Sequence, residues 1–221
     1  MKNIKKSLIM NIIIALLVLI GCIFMFTGYR FMTNTVLLDY DNITMFQYFT
    51  VDSNILVGIA SLILIVYELL LINKKIKEIP SIIYLIKGSG VVSVTLTFLV
   101  TLFFLAPSSR YGFLSLYMNT NLFFHLIVPI LSIISFVFYE KFDNNKLNPF
   151  YGTIPMILYS IFYIINILLH TNGSTVSYEY DFYGFLGGNI YNSIIVLPII
   201  FIITYIISYI ILKLNKKRLN Y

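Results

Sequence analysis

Charged residues are scarce in this 221-residue chain, and their scarcity excludes a soluble globular protein. Lys, Arg, Asp and Glu together make up 11% of the sequence, whereas hydrophobic residues make up 59%. A typical soluble domain carries about 25% charged residues. Because so few charges cannot cover a surface in contact with water, we predict a membrane protein.

Two further shortages narrow the range of function classes. The single cysteine, Cys22, excludes an internal disulfide framework and a cysteine-based metal cluster. The chain lacks a long basic tract, so its net charge of +6 does not indicate a nucleic-acid partner. Neither His125 nor His170 has an acidic residue or a second histidine one helical turn away, and we therefore predict no metal and no cofactor.

Six apolar runs are long enough to cross a bilayer as helices, which needs about 20 residues each. The runs are continuous, whereas the strands of a membrane barrel alternate apolar and polar residues over about ten positions. The sequence therefore predicts an all-α fold, with one six-helix membrane domain that comprises residues 1–221. The predicted spans cover about 8–26, 51–72, 91–106, 122–139, 154–169 and 194–212.

Basic residues are distributed unevenly between the two sides of the predicted bundle. One side carries only Arg30 and Arg110. The other side carries Lys2, Lys5, Lys6, Lys74, Lys75, Lys77, Lys87, Lys141, Lys146, Lys213, Lys216, Lys217 and Arg218. Because basic residues favour the cytoplasmic side, we predict that both termini are cytoplasmic. The outer connection 170–193 is rich in Gly, Tyr and acidic residues, which favours an ordered cap.

The second predicted span begins with polar side chains, which are costly in lipid. Thr50, Ser53 and Asn54 are spaced three and four residues apart, so a helix places them on one face. Asp52 lies about 200° around the helix from Thr50 and does not extend that face. The alternative interpretation is a helix start at the membrane interface, capped by Asp52 or Ser53.

The fourth and fifth spans carry polar residues at the same predicted depth. Asn121 and His125 lie one turn apart, and so do Asn166 and His170. With the termini inside, these residues share the outer half of the bilayer with the polar face of the second span. We therefore predict an outward-opening cavity lined by a hydroxyl, two imidazoles and amides. Hydrogen bonding between helices alone is the alternative explanation.

The third span carries small residues on one face, namely Gly90, Ser93, Thr97 and Thr101. Small residues allow two helices to approach closely. We expect this face to serve helix packing.

Thr50 and His125 are the candidate catalytic residues. A threonine hydroxyl is a weak nucleophile until a base accepts its proton, and histidine can act as that base near neutral pH. Ser53, Asn54 or Asn121 could then donate hydrogen bonds to an oxyanion, while apolar walls would admit a lipid chain. The predicted reaction is acyl transfer to Thr50 followed by hydrolysis.

Two segments of the chain resemble the androgen-induced and androgen-dependent membrane proteins, which are six-helix hydrolases of fatty acid esters of hydroxy fatty acids. They are similar above all to the uncharacterised bacterial relatives of that family, whose patterns are Tyr-Phe-Thr-x-x-Ser-Asn and His-x-x-x-Pro. The matching segments are Tyr48-Phe49-Thr50-Val51-Asp52-Ser53-Asn54 and His125-Leu126-Ile127-Val128-Pro129.

The resemblance implies that Thr50 is the nucleophile and His125 its base. It implies a fatty-acyl ester as the substrate and a bacterial plasma membrane as the location. Phe124 and Leu126 stand where the eukaryotic pattern has a second histidine and a threonine.

Two other function classes remain open. A small-solute transporter or channel would use the same cavity, with Asp52 as its proton or cation site. The inner halves of the predicted spans are almost entirely apolar, which disfavours a continuous path. A non-catalytic membrane binding protein would use the polar faces for helix packing. Membrane lipids are the expected partners in each case, and the oligomeric state stays open.

Overall fold

The computed structural model describes residues 2–33, 42–140, 148–177 and 179–219. Six helices in these ranges are long and apolar enough to span a membrane, which indicates a membrane protein. They are α1 (Lys2–Thr27), α2 (Phe49–Ile72), α3 (Ser81–Leu105), α4 (Thr120–Phe138), α5 (Ile154–Leu169) and α6 (Ser193–Leu219). The described residues contain no strand beyond isolated bridges, so the all-α prediction is confirmed.

Short 3₁₀ helices precede four of the spans, at Asn42–Gln47, Phe113–Tyr117, Pro149–Thr153 and Ile190–Asn192. Two of them begin with an asparagine cap. The side-chain oxygen of Asn148 accepts a hydrogen bond from the Phe150 amide at 2.9 Å, and that of Asn189 accepts one from Tyr191 at 3.0 Å. These bonds satisfy amides that a helix start leaves free.

Two spans contain a five-residue π-helical segment, Thr101–Leu105 in α3 and Phe123–Ile127 in α4. The segment in α4 has a local cause. Pro129 has no amide hydrogen to donate to the His125 carbonyl one turn earlier. The Val128 amide instead bonds to the Phe123 carbonyl, five residues back. Because π segments are frequent at functional sites, the position of His125 in this segment favours a functional role for it.

α3 is the most buried of the six spans and packs closely against α2. A side chain built on Gly90 would place its Cβ 2.9 Å from the Val57 Cα, which leaves no room for any residue but glycine. The expectation that this face of α3 serves close helix packing is confirmed at Gly90.

α3 begins earlier than the sequence predicts. The helix begins at Ser81, well before the predicted start at 91, and it buries Lys87 completely. Lys87 is therefore part of a span, and its assignment to a connection beside the membrane is wrong. The prediction that the inner halves of the spans are almost entirely apolar is also wrong. Glu68 and Glu140 are buried beside Lys87, and their opposite charges make the burial tolerable.

The side of the membrane on which the termini lie stays a prediction. The start of α1 and the end of α6 lie at one end of the bundle, here called the termini end, because Asn11 and Asn215 both bond to Glu140. Among the basic residues behind the prediction, Lys141 and Lys146 lie outside the described residues. The side chains of Lys2, Lys217 and Arg218 also lie outside the described part.

Candidate active site

The connection between α5 and α6 folds over the end of the bundle opposite the termini. Its organising residue is Asp181, which is buried. One carboxylate oxygen of Asp181 accepts a hydrogen bond from the Tyr163 hydroxyl, and the other accepts one from the Leu186 amide at 3.0 Å. The prediction of an ordered cap is confirmed for the described residues of this connection, with Tyr178 outside them.

Aromatic rings from the cap and from α5 surround the start of α2. The Tyr48 ring packs edge-on against Phe182 and Tyr183, at centroid distances of 4.9 Å and 5.9 Å. The Tyr159 hydroxyl donates a hydrogen bond to the Gln47 carbonyl at 2.7 Å. The cap therefore fixes the position of the helix start that carries Thr50.

The Tyr183 phenol lies against Thr50 itself. Burial raises the pKa of the Tyr183 phenol to about 12, although the neighbouring hydroxyl groups of Tyr159 and Thr50 oppose the shift. Hydrogen bonds from the backbone amides of Phe49 and Thr50 also lower the pKa of this phenol. Since these amides belong to the first turn of α2, the phenol oxygen lies where the helix leaves N–H groups free. At neutral pH, Tyr183 keeps its proton.

Thr50 is buried in the first turn of α2, and its neighbours on the same face hold its backbone. The Thr50 carbonyl accepts hydrogen bonds from Ser53 Oγ at 3.1 Å and from Asn54 Nδ2 at 2.7 Å. Ser53 Oγ also lies 3.1 Å from Thr97 Oγ1 on α3. Thr50, Ser53 and Asn54 therefore share one face, as predicted, and that face contacts α3.

A cavity of about 280 Å³ opens beside Thr50. Its walls come from α2, α3, α5, α6 and the cap, and most of them are aliphatic or aromatic. The lining residues that carry a hydroxyl group are Thr50, Thr97, Thr101, Tyr159 and Tyr183. Phe104, Ile199 and Ile203 line the mouth and are exposed on the apolar outer surface of the bundle. The cavity thus joins a few hydroxyl groups to an opening on the apolar outer surface of the bundle.

Thr101 contributes an unpaired hydroxyl group to this cavity. It is buried at the first position of the π segment in α3, and its Oγ1 has no hydrogen-bond partner among the described residues. Leaving a buried hydroxyl group unpaired is unfavourable. A polar atom of a bound ligand would supply the missing partner.

His125 is fully buried on α4, and the structure defines its tautomer. Nδ1 lies 2.8 Å from the Leu116 carbonyl oxygen, which can only accept a hydrogen bond. Nδ1 therefore carries the hydrogen, and Nε2 of the neutral ring is the acceptor nitrogen. The Tyr117 ring packs edge-on against the imidazole at a centroid distance of 6.5 Å. This arrangement leaves His125 able to accept a proton at Nε2.

Asn54 joins the two segments that the sequence singles out. Its Nδ2 donates to the Thr50 carbonyl at 2.7 Å and to the Phe124 carbonyl at 3.1 Å, next to His125. No hydrogen bond between the Thr50 hydroxyl and the His125 ring exists in the described part of the chain. The cavity lining includes Thr50 but not His125. The two residues lie on neighbouring helices that share one amide.

The remaining predicted site residues lie apart from the cavity. Asn121 is buried on α4, and its Oδ1 has no partner among the described residues. His170 is exposed, stacks on Tyr180 at 3.9 Å and bonds through Nδ1 to the Asn166 carbonyl at 2.7 Å. The cavity lining does not include Asn121, Asn166 or His170, so the structure does not bring them to Thr50.

Sequence reasoning missed two groups of residues. Tyr183 lies in a connection, where the sequence carries no periodic signal that could relate it to Thr50. The buried charges Lys87, Glu68 and Glu140 do carry a signal, because Lys87 and Glu68 lie more than one turn inside an apolar run.

Comparisons of the chain with protein-family models, with curated proteins and with solved structures found no match. The resemblance to the androgen-induced membrane proteins, and the hydrolase activity that it implies, therefore stay predictions.

Proposed function

We propose that the protein is a lipid ester hydrolase of the bacterial plasma membrane, with both termini in the cytoplasm. Thr50 is the nucleophile and His125 is the base. The observation that carries the proposal is the position of the Thr50 hydroxyl group, at the wall of an apolar cavity with a lipid-facing mouth. Few polar groups in an apolar cavity are typical of a small-molecule site.

The walls favour a fatty-acyl ester as the substrate. The acyl chain would contact Leu96, Val100 and Ile203, while the ester group would lie near the hydroxyl groups at the start of α2. Thr101 Oγ1, which lacks a partner, would donate a hydrogen bond to an ester oxygen. This assignment rests on the match between apolar walls and an apolar chain.

The proposed reaction has two stages. Thr50 Oγ attacks the ester carbonyl carbon while its proton passes to His125 Nε2, through a water molecule that bridges the two helices. The tetrahedral intermediate collapses, and the alcohol leaves with the proton that His125 returns through the same water molecule. Water then hydrolyses the acyl-Thr50 ester by the same proton transfers and releases the fatty acid.

The oxyanion is assigned to different donors from those expected. Asn54 Nδ2 already bonds two carbonyl groups, so Asn54 acts as a positioning residue. Tyr183 keeps its proton at neutral pH, as an ordinary phenol does, and burial raises the pKa of its phenol further. Its hydroxyl group and that of Thr101 are the proposed donors, and the N-terminus of α2 adds favourable electrostatics because a helix N-terminus stabilises negative charge.

A covalent probe tests this function. The purified protein in detergent is treated with an alkyl fluorophosphonate, and labelling is located by mass spectrometry. We expect a modified Thr50 in the wild type and no labelling in Thr50→Ala. We expect His125→Ala to slow labelling by about 10²-fold or more, because a general base contributes that much.

Two matched variants control for damage to the fold. Thr95 is buried on α3 without lining the cavity, and His170 is exposed. Thr95→Ala and His170→Ala should label at the wild-type rate. Labelling that persists in Thr50→Ala, or a folded wild type that neither labels nor cleaves fatty-acyl esters, would contradict the proposal. If Thr50→Ala and His125→Ala lower only the stability of the protein, a non-catalytic binding protein is favoured.

A second candidate, a small-solute transporter, has one observation in its favour. Lys87, Glu68 and Glu140 bring polarity into the termini half of the bundle, where the sequence predicts almost none. Uptake into proteoliposomes that survives Thr50→Ala but fails in Asp52→Asn would support this function and contradict the hydrolase.

A further inference from the structure

Three ionisable side chains meet inside the termini half of the bundle. Lys87 is 0% exposed, and Glu68 and Glu140 are 2% and 3% exposed. Lys87 Nζ donates a hydrogen bond to Ser61 Oγ at 2.6 Å and lies 3.9 Å from Glu140 Oε1. Such groups are rarely buried unless they are paired, and those within membrane spans usually mark a functional site.

Five helices supply the surroundings of this cluster. The polar groups that face it are Ser7 and Asn11 from α1, Ser61 from α2, Tyr84 from α3, Ser135 from α4 and Asn215 from α6. Tyr84 is the one other titratable side chain of this set, and it lies close enough to Glu68 and Glu140 to interact with both charges. The rest of the set are hydroxyl groups and amides, which cannot balance a charge.

Asn11 connects the two carboxyl groups. Its Nδ2 lies 3.4 Å from Glu140 Oε1, beside shorter bonds to Ser7, and its side chain lies close enough to Glu68 to interact with that carboxyl group. Ser135 Oγ donates a second hydrogen bond to Glu140 Oε1, at 2.8 Å. The donors are thus concentrated on one oxygen of Glu140.

Charge and hydrogen bonding are both incomplete in this cluster. Two carboxylates and one ammonium group leave a net charge of −1, which is costly in a low-dielectric interior. Glu68 Oε2, Glu140 Oε2 and Asn11 Oδ1 have no hydrogen-bond partner among the described residues. An amide oxygen and an ionised carboxylate oxygen can only accept a hydrogen bond, so the cluster lacks one positive charge and has no donor for these three acceptors.

We propose that the cluster of Glu68, Lys87 and Glu140 is a proton-binding site, which holds one proton shared between the two carboxyl groups. A proton on either Oε2 neutralises the cluster. It also turns that oxygen into a donor toward another unpaired acceptor. Burial raises the pKa of the Glu140 carboxyl, with Lys87 opposing the shift, which agrees with a bound proton.

A metal ion is the less suitable ligand. The described residues contain no group of three His, Cys, Asp or Glu side chains able to hold one. The Lys87 ammonium group would also repel a second cation at this position. A proton needs only one carboxylate oxygen and one acceptor, and the cluster offers both.

The proton site is separate from the proposed active site. Thr50 and Glu68 lie at opposite ends of α2, about 27 Å apart along the helix axis. The proposal does not rest on ester hydrolysis and would hold for any function of the cavity.

The test measures the free energy of unfolding of the full chain in mixed micelles at several pH values. A carboxyl group whose pKa is raised by folding stabilises the folded state below the pKa of the unfolded chain, and that stabilisation is lost as pH rises through the folded pKa. We therefore expect the folding constant of the wild type to fall about tenfold per pH unit above roughly pH 4.3, until the folded pKa is reached.

Two variants separate a bound proton from a structural hydrogen bond. Glu68→Gln and Glu140→Gln each leave one carboxylate beside Lys87, a neutral pair that needs no proton. Each should lose this pH dependence and become more stable than the wild type at alkaline pH. Exposed Glu78 provides the control, since Glu78→Gln should keep the wild-type profile. Lys87→Met should steepen the fall, because two protons are then needed.

Infrared spectroscopy supplies a second measurement that does not depend on unfolding. The wild type at neutral pH should show the carbonyl stretch of a protonated carboxyl group, and both Gln variants should lose it. A flat pH profile without that band would overturn the proposal. Destabilisation of both Gln variants at every pH, with an unchanged profile, would also overturn it. A wild type stabilised by Na⁺ but not by choline at equal ionic strength would make this a sodium site instead.

Discussion

Asn54 shows how one side chain can align two helices around a candidate site. Its amide donates to a carbonyl on its own helix, at Thr50, and to one on α4, at Phe124. Both acceptors lie next to a proposed catalytic residue or belong to it. A small displacement of Asn54 would therefore change the distance between the nucleophile and its base, although Asn54 itself contacts no substrate.

We predict that Asn54→Ala lowers the free energy of unfolding by about 1–3 kcal/mol, because it leaves the buried Phe124 carbonyl unpaired. It should also slow fluorophosphonate labelling of Thr50. The matched control is Asn172→Ala, which removes an exposed asparagine side chain from the cap. Labelling at the wild-type rate in a destabilised Asn54→Ala variant would contradict its role in positioning.

At the scale of helices, α3 is the element on which the others depend. It contacts α2 through Gly90, contributes Thr97 and Thr101 to the cavity wall and buries Lys87 near its start. Both polar regions of the molecule thus share this helix. A change in the packing of α3 against α2 should therefore alter both polar regions.

We predict that Gly90→Ala destabilises the protein by about 1–3 kcal/mol, which is typical of overpacking. The added methyl group would meet the Val57 backbone, which cannot rotate away. Gly88→Ala is the control on the same helix, since its methyl group would meet the end of the Phe136 ring, 3.0 Å away. Equal effects of the two changes on the free energy of unfolding would contradict this explanation.

At the scale of the whole molecule, polar groups are concentrated at two depths. Hydroxyl groups and the cap surround the cavity at one end, and the charged cluster lies within the termini end. The outer surface between them is apolar. The predicted orientation would place the cavity in the outer leaflet and the proton site near the cytoplasm.

We predict this orientation from the basic residues, and single cysteines test it. In a Cys22→Ser background, Ser177→Cys places a thiol on the exposed cap, and Asn3→Cys places one near the N-terminus. A membrane-impermeant maleimide should label the cap in intact cells and the N-terminal position only after permeabilisation. The reverse pattern would show that the orientation is inverted.

Sequence reasoning predicted six spans and the shared face of Thr50, Ser53 and Asn54 because each depends on periodicity within one segment, although it placed the start of α3 too late. The role of His125 as the base stays a prediction. Sequence reasoning missed the Leu116 contact of His125, since a backbone carbonyl in a connection carries no residue-type signal. It misplaced Lys87 because a lone positive charge near a helix start resembles a flanking residue. Only the tertiary fold brings Glu68 and Glu140 beside it.

The lateral mouth of the cavity, between α3 and α6, has a consequence for how ligands are measured. Phe104, Ile199 and Ile203 border it on the apolar outer surface, while the cap covers the end of the bundle. A ligand that enters through this mouth is drawn from the bilayer, so its effective concentration is a mole fraction in lipid. Apparent affinities would then weaken as detergent or lipid is added at constant ligand, purely by dilution within the apolar phase.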